Sequence, residues 1–197
     1  MFTLHGVGVS RGITIGKAHV IERAELEIRE FAVSDGDIAG ELQRLRDAVT
    51  QAKQDLRSVR EQIPRTTAPD IAAFIDTHLL MLEDSAFTFD AERLIKTRSC
   101  NAEWALKLQR DALVKAFDEM EDPYLRTRKD DVDHVVSRIQ RILLNHAPLK
   151  HEVVGNRLQD MVVIADDLAP ADTILMQRNG VAAFVTHYGG PTSHMSI

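Results

Sequence analysis

Six residues, Gly189-Gly190-Pro191-Thr192-Ser193-His194, combine a nucleophilic side chain with the backbone chemistry of an anion site. The apolar run Val181-Ala182-Ala183-Phe184-Val185 stops four residues before Gly189. This order predicts a strand, a glycine turn, two hydroxyl residues, a histidine and the start of a helix. Helix starts favour anions, because their N–H groups are unpaired and the peptide dipoles point positive there. Gly189 and Gly190 let the backbone approach a bulky anion, and Pro191 stiffens the turn. Thr192 and Ser193 can donate to phosphate oxygens, or to the ring nitrogen that does not react. A histidine so held can carry a phosphoryl group, since a neutral imidazole nitrogen attacks phosphorus while the other nitrogen is fixed by a hydrogen bond. The bland alternative is a loop-to-helix turn in which Thr192 or Ser193 merely caps. A metal site on His187 and His194 is not expected, because no nearby carboxylate or cysteine completes it.

Composition narrows the classes. The chain has 197 residues, 44% hydrophobic and 27% charged, which suits a globular protein of one large or two small domains. A net charge of −6 argues against a nucleic-acid binder and suits partners with basic patches. The single cysteine, Cys100, cannot form an internal disulfide, which fits a reducing compartment. No apolar run reaches the roughly 20 residues needed to span a bilayer. The start of the chain does not read as a signal peptide. The expectation is a cytoplasmic protein without membrane insertion.

Three textures follow one another along the chain. In residues 1–31, Val7, Val9, Ile13, Ile15, His19 and Ile21 recur at mostly even spacing among glycines, which predicts short strands with a bend near Ser10-Arg11-Gly12. From about residue 34 the period changes to helical. Ser34 or Asp35 is a plausible cap. Leu42, Leu45, Val49, Ala52, Leu56, Val59 and Ile63 then follow at alternating spacings of three and four, until Pro64. Further helices are predicted over about 70–83, 86–97, 101–119 (capped by Asn101) and 123–145. Their inward faces carry Ile71, Phe74, Ile75, His78, Leu79 and Leu82 in the first. Ala105, Leu108, Ala112, Leu113, Ala116 and Phe117 do so in the third, and Val132, Val135, Val136, Ile139, Ile142 and Leu143 in the last. From about His151 the texture returns to strand, helix and strand, with Met161–Ala165 as a strand and Pro170 at a helix start. The two β-rich ends are too short to bury separate cores. The fold class expected is therefore α+β: a small α/β body from 1–31 and 149–197, with an all-helical subdomain, 32–148, inserted.

The histidine turn, extended as Gly189-Gly190-Pro191-Thr192-Ser193-His194-Met195-Ser196-Ile197, resembles the phosphohistidine signature of Enzyme I of the bacterial phosphotransferase system. Gly6-Val7-Gly8-Val9-Ser10-Arg11-Gly12-Ile13-Thr14-Ile15-Gly16 resembles that family's opening segment. His78-Leu79-Leu80-Met81-Leu82-Glu83-Asp84 and Asp122-Pro123-Tyr124-Leu125-Arg126-Thr127-Arg128, leading into Asp131-Val132, resemble its helical subdomain. The resemblance implies a swivelling phosphohistidine body and a docking subdomain for the phosphocarrier protein HPr. It further implies transfer of a phosphoryl group from phosphoenolpyruvate, through a histidine, to HPr for sugar uptake. His194 would be the phosphorylated nucleophile, with Gly189, Gly190, Thr192, Ser193 and Thr173 binding phosphate or orienting the ring. Thr173 equally reads as an ordinary helix-start residue. HPr presents an apolar patch ringed by basic charge, so a groove with an apolar floor and an acidic rim should receive it. Leu80, Met81, Phe87 and Leu125 are candidates for the floor, and Asp70, Glu83 and Asp84 for the rim. His78 and Arg128 sit where the family has docking-surface residues. Leu79 and Leu82 are assigned to the core.

The family continues beyond the equivalent of Ile197 into a barrel domain that binds phosphoenolpyruvate and magnesium. Those functions, and Mg2+ with them, are therefore expected outside these residues, and no cofactor or metal is expected within them. Two alternatives stay open. One is a docking module without chemistry. The other is the phosphohistidine domain of a related dikinase or phosphoenolpyruvate synthase, which share the histidine turn.

Overall fold

A parallel sheet cannot be closed by a tight turn, so its strands are drawn from segments far apart in the chain. The computed structural model describes residues 3–21, 26–63, 69–145, 158–166 and 168–187. Within them, strand β1 (Ala18–Ile21) pairs in parallel with β2 (Val162–Ala165), which pairs in parallel with β3 (Ala183–Thr186). The strand order is β1-β2-β3, with Ala18 opposite Val162 and Val162 opposite Ala183. Side chains alternate across the sheet, as the pleat requires. Ile21, Val163 and Ala165 are buried on one face, while Val20, Ile164 and Val185, which share a register row, are exposed on the other. A helix, Pro170–Arg178, joins β2 to β3 and adds Ile174, Leu175 and Met176 to the core. The Asn179-Gly180 turn ends it, with Gly180 at φ +69°, a conformation that glycine adopts without strain.

Between β1 and β2 the chain is helical, numbered here in order: α1 (Ile38–Glu61), α2 (Pro69–Glu83), α3 (Ser85–Arg98), α4 (Ala102–Asp118), α5 (Pro123–Arg126) and α6 (Arg128–Leu143), with Pro170–Arg178 as α7. The observed fold is the expected α+β class. Two compact units are formed. One gathers the described parts of Met1–Ala24, Val59–Ile75 and Leu149–Ile197, and the other those of Glu25–Ser58 and Asp76–Pro148.

The seam of α1 is buried as its spacing demands, from Leu42 through Val59. Buried faces of α2 (Phe74, Ile75, His78, Leu82) and α6 (Val132, Val135, Val136, Ile139, Leu143) also match their periodicity. The structure corrects four expectations. First, residues 3–17 form no strand. Leu4, Val7, Ile13 and Ile15 are exposed, because the four residues of β2 find their partners only at 18–21. Second, Asn101 stands at the N-cap position of α4, but its side chain does not cap the helix. Its side chain accepts from Phe31 N at 2.9 Å and donates to the Arg29 carbonyl and to Glu103. Glu41 of α1 takes over the cap, its Oε1 accepting from Ala102 N at 2.7 Å. Third, α4 buries Leu106 and Gln109, while Ala112 and Ala116 are exposed. Fourth, the helix expected from Pro123 breaks at Thr127 into α5 and α6. Asp122 caps the first, accepting from Tyr124 N at 2.8 Å.

The start of β1 tolerates no side chain at Gly16, where a Cβ would meet the Asp160 carbonyl oxygen at 2.6 Å. Gly16→Ala is expected to force the β1–β2 edge apart and lower stability by about 1–3 kcal/mol, read from denaturant unfolding.

Candidate functional site

The residues singled out by type fall into both units. In the first, the histidine turn itself (Gly189, Gly190, Thr192, Ser193 and His194) lies outside the described residues. What leads to it is described. β3 ends at Thr186, and His187 N still donates to Ala165 O at 3.1 Å, so the chain leaves the sheet at its carboxyl edge. At the neighbouring carboxyl end of β2, Ala169 and Pro170 open α7. Asp172 folds back to accept from Ala169 N at 2.9 Å, which holds that first turn rigid. Thr173 is half-buried in the same turn, its N–H donating to Ala169 O. Ligand sites of open parallel sheets form outside the carboxyl ends of the strands, and this edge carries Thr173 and the end of β3.

In the second unit the docking candidates divide by depth. Leu80 is 66% exposed and Leu125 41%, so both present apolar surface. Met81 and Phe87 are half-buried. Leu82 is buried as expected, and Leu79 is half-buried. Glu83 and Asp84 are exposed, but each has local work. Glu83 pairs with Arg57 at 2.6 Å, and Asp84 caps α3 by accepting from Ala86 N at 2.8 Å. Asp70, in the first turn of α2, belongs to the first unit, and its side chain lies outside the described set. Gln109 of α4, which sequence reasoning assigned no role, fixes the start of α3. Its Nε2 donates to the Phe87 carbonyl, and its Oε1 accepts from Ala91 N.

His78 and Arg128 are brought together, through a residue to which the sequence reading gave no role. His78 is only 3% exposed, so it faces inward from α2. Its Nε2 stands 3.5 Å from Oδ1 of Asp131, which is itself 2% exposed. The other oxygen of Asp131 accepts from Arg128 Nη1 at 2.9 Å. Arg128 in turn lies over the Tyr124 ring, 4.7 Å from its centroid, and its Nη2 donates to the Tyr124 hydroxyl. Sequence offered one signal for Asp131: a carboxylate on the buried stripe of α6, four residues before Val135 and three after Arg128.

Burial pushes the His78 imidazole below its ordinary range; Asp131 pulls it back, and His134 and Arg138 push it down again. Burial raises the Asp131 carboxyl, but His78 and Arg128 outweigh it and hold it below the usual carboxylate range. Among the described residues no group of three or more His, Cys, Asp or Glu could hold a metal ion. Nor is any described helix long and apolar enough to cross a membrane.

The lowered His78 value has a consequence for stability. Unfolded, the ring titrates near about 6.5; folded, it titrates lower. Between those values the unfolded chain binds more protons, so acidification destabilises the fold. The stability lost as pH falls below about 6.5 is expected to shrink in His78→Gln, measured by urea unfolding at each pH.

Comparison with known proteins adds the following. A sequence model described as PEP-utilising enzyme, N-terminal, matches residues 5–128, and one described as PEP-utilising enzyme, mobile domain, matches residues 158–197. A relative from Cupriavidus necator named phosphoenolpyruvate-protein phosphotransferase is 38% identical over 100% of this chain and 34% of its own length. One of the same name from Bacillus subtilis is 32% identical over 100% of this chain and 34% of its own. The chain therefore spans about a third of these relatives. A solution structure described as Enzyme I (nEIt) superposes with a TM-score of 0.80 at 27% identity, covering 97% of this chain and 76% of that one. A structure described as the N-terminal domain of Enzyme 1 - Nitrogen, at 20% identity and a TM-score of 0.66, shares the fold.

Proposed function

The chain belongs to the phosphoenolpyruvate-utilising enzyme family, and from that premise we propose that it is the carrier-docking and phosphoryl-carrying portion of a phosphoenolpyruvate–protein phosphotransferase. The observation that carries this reading is the match of residues 158–197 to the family's mobile domain, over the strand–helix–strand unit that runs into the His194 turn. The partner is a histidine-bearing phosphocarrier protein of the HPr kind, and the wider role is sugar uptake in the cytoplasm.

His194 Nε2 attacks the phosphorus of the carrier's phosphohistidine in line. A new N–P bond forms, and the carrier's N–P bond breaks, its electron pair returning to the carrier's imidazole. The other ring nitrogen of His194 gives up a proton while the freed carrier ring takes one, so the exchange is proton-neutral. Little covalent work falls to the protein in such a transfer; it positions the groups and stabilises their charge. Gly189 and Gly190 give the phosphate close backbone approach, Thr192 and Ser193 donate to its oxygens, and Thr173 orients the ring. Leu80, Met81, Phe87 and Leu125 supply the apolar floor for the carrier, with Asp70, Glu83 and Asp84 as the acidic rim. Arg128 contributes at the surface, and His78 acts from beneath it. Phosphoenolpyruvate and Mg2+ are assigned to the two-thirds of the relatives that this chain does not span.

Mixing with phosphorylated HPr is expected to leave acid-labile, alkali-stable phosphate on the chain, and none on His194→Ala. Equal labelling of the variant would overturn the assignment. Binding of HPr without any labelling would favour a docking module.

A further inference from the structure

We propose that Asp131 is the positioning residue of the docking surface: buried between α2 and α6, it sets the direction in which Arg128 meets the partner. This rests on the docking reading of the second unit. An arginine on a surface normally samples many rotamers, and ordering it on binding costs affinity. Arg128 is ordered in advance. Its guanidinium is gripped from below by Asp131 Oδ2 at 2.9 Å, and lies over the Tyr124 ring with a second hydrogen bond to that hydroxyl. Tyr124 is itself fixed through its backbone: Asp122 accepts from its N–H, and its carbonyl accepts from Thr127 Oγ1 at 2.6 Å. The grip holds because Asp131 cannot turn away. It is 2% exposed, and its other oxygen faces His78 Nε2 at 3.5 Å.

The groups facing this carboxylate are therefore Arg128 from the start of α6 and His78 from α2. His134 of α6 lies behind the imidazole, with ring centroids 6.0 Å apart, and Arg138 also bears on it. A buried carboxylate paired to one basic group would satisfy a purely structural need. The arrangement seen here shares one carboxylate between a buried ring and an arginine at the surface. Leu125, adjacent to Tyr124 and 41% exposed, places apolar surface beside the oriented guanidinium.

The test is a double-mutant cycle on HPr affinity, by calorimetry, with Asp131→Asn, Arg128→Ala and the double variant. Each single change is expected to weaken binding about tenfold, as for loss of a hydrogen bond to a charged group. The double variant is expected to be no weaker than Arg128→Ala alone, since Asp131 acts through Arg128. Additive losses, or an unaffected Arg128→Ala, would overturn the proposal while leaving docking intact. Failure of the unaltered chain to bind HPr would instead sink the docking reading, and this proposal with it. Should Asp131→Asn fail to fold, NMR of the unaltered chain decides. A held guanidinium shows separate, slowly exchanging Nη proton signals for Arg128; a single averaged signal overturns the proposal.

Discussion

The parallel pairing of β1 with β2 is the constraint on which the rest of the structure depends. It sets Ala18 beside Val162, and everything between them must leave the sheet and return to it. Antiparallel pairing would have allowed a short turn; parallel pairing demands a crossover. Here the crossover supplies a second compact unit with its own core, from Glu25–Ser58 and Asp76–Pro148, while Val59–Ile75 stays with the unit that holds the sheet. Gly16 shows how tightly the constraint is drawn, for the backbone of residue 160 leaves no room for a methyl group. Because β3 extends the same sheet in the same direction, the carboxyl ends of β2 and β3 lie side by side. That edge is where the chain leaves β3 at His187, whose N–H still donates to the Ala165 carbonyl.

The helical unit is held by polar contacts at its helix ends as well as by its apolar seams. Arg44 of α1 donates to both oxygens of Glu103 on α4 and to the Leu143 carbonyl at the end of α6. Glu41 caps α4, and Gln140 of α6 donates to the Glu103 carbonyl. These contacts join three helices at one end, where helix termini would otherwise leave N–H and C=O groups unpaired. At the α2–α6 contact the shared carboxylate of Asp131 plays the corresponding part. The same physics serves surface and core: a carboxylate kept ionised by two basic neighbours ties helices together and orders an arginine.

Local patterns in the sequence read well wherever one face of one element decided the outcome. The seam from Leu42 to Val59, the stripe from Val132 to Leu143 and the Asn179-Gly180 turn depend on neighbours a few residues away, so spacing reveals them. Contacts between distant segments were not legible. Nothing near Asn101 in sequence tells that Glu41 will cap α4 in its place, or that Phe31 will claim the Asn101 side chain. Ile13 and Ile15 have the alternation of a strand, but alternation records a capacity to pair and does not supply the partner. Of the candidate site, Leu80 and Leu125 are exposed, and the docking role given them from family resemblance is a proposal. His78 lay too deep to be surface, and Asp131 emerged only from geometry, because a charged residue on an apolar stripe can be read in several ways.

On the proposed function one chain divides two tasks, docking on the helical unit and phosphoryl carriage at His194. Heteronuclear NMR of the uniformly 15N-labelled chain, recorded during titration with phosphorylated HPr, addresses both at once. Amide shifts are expected around Leu80, Met81, Phe87, Leu125 and Arg128, together with imidazole nitrogen shifts marking phosphate on Nε2 of His194. Shifts confined to the exposed sheet row of Val20, Ile164 and Val185, with phosphate on another histidine, would contradict it.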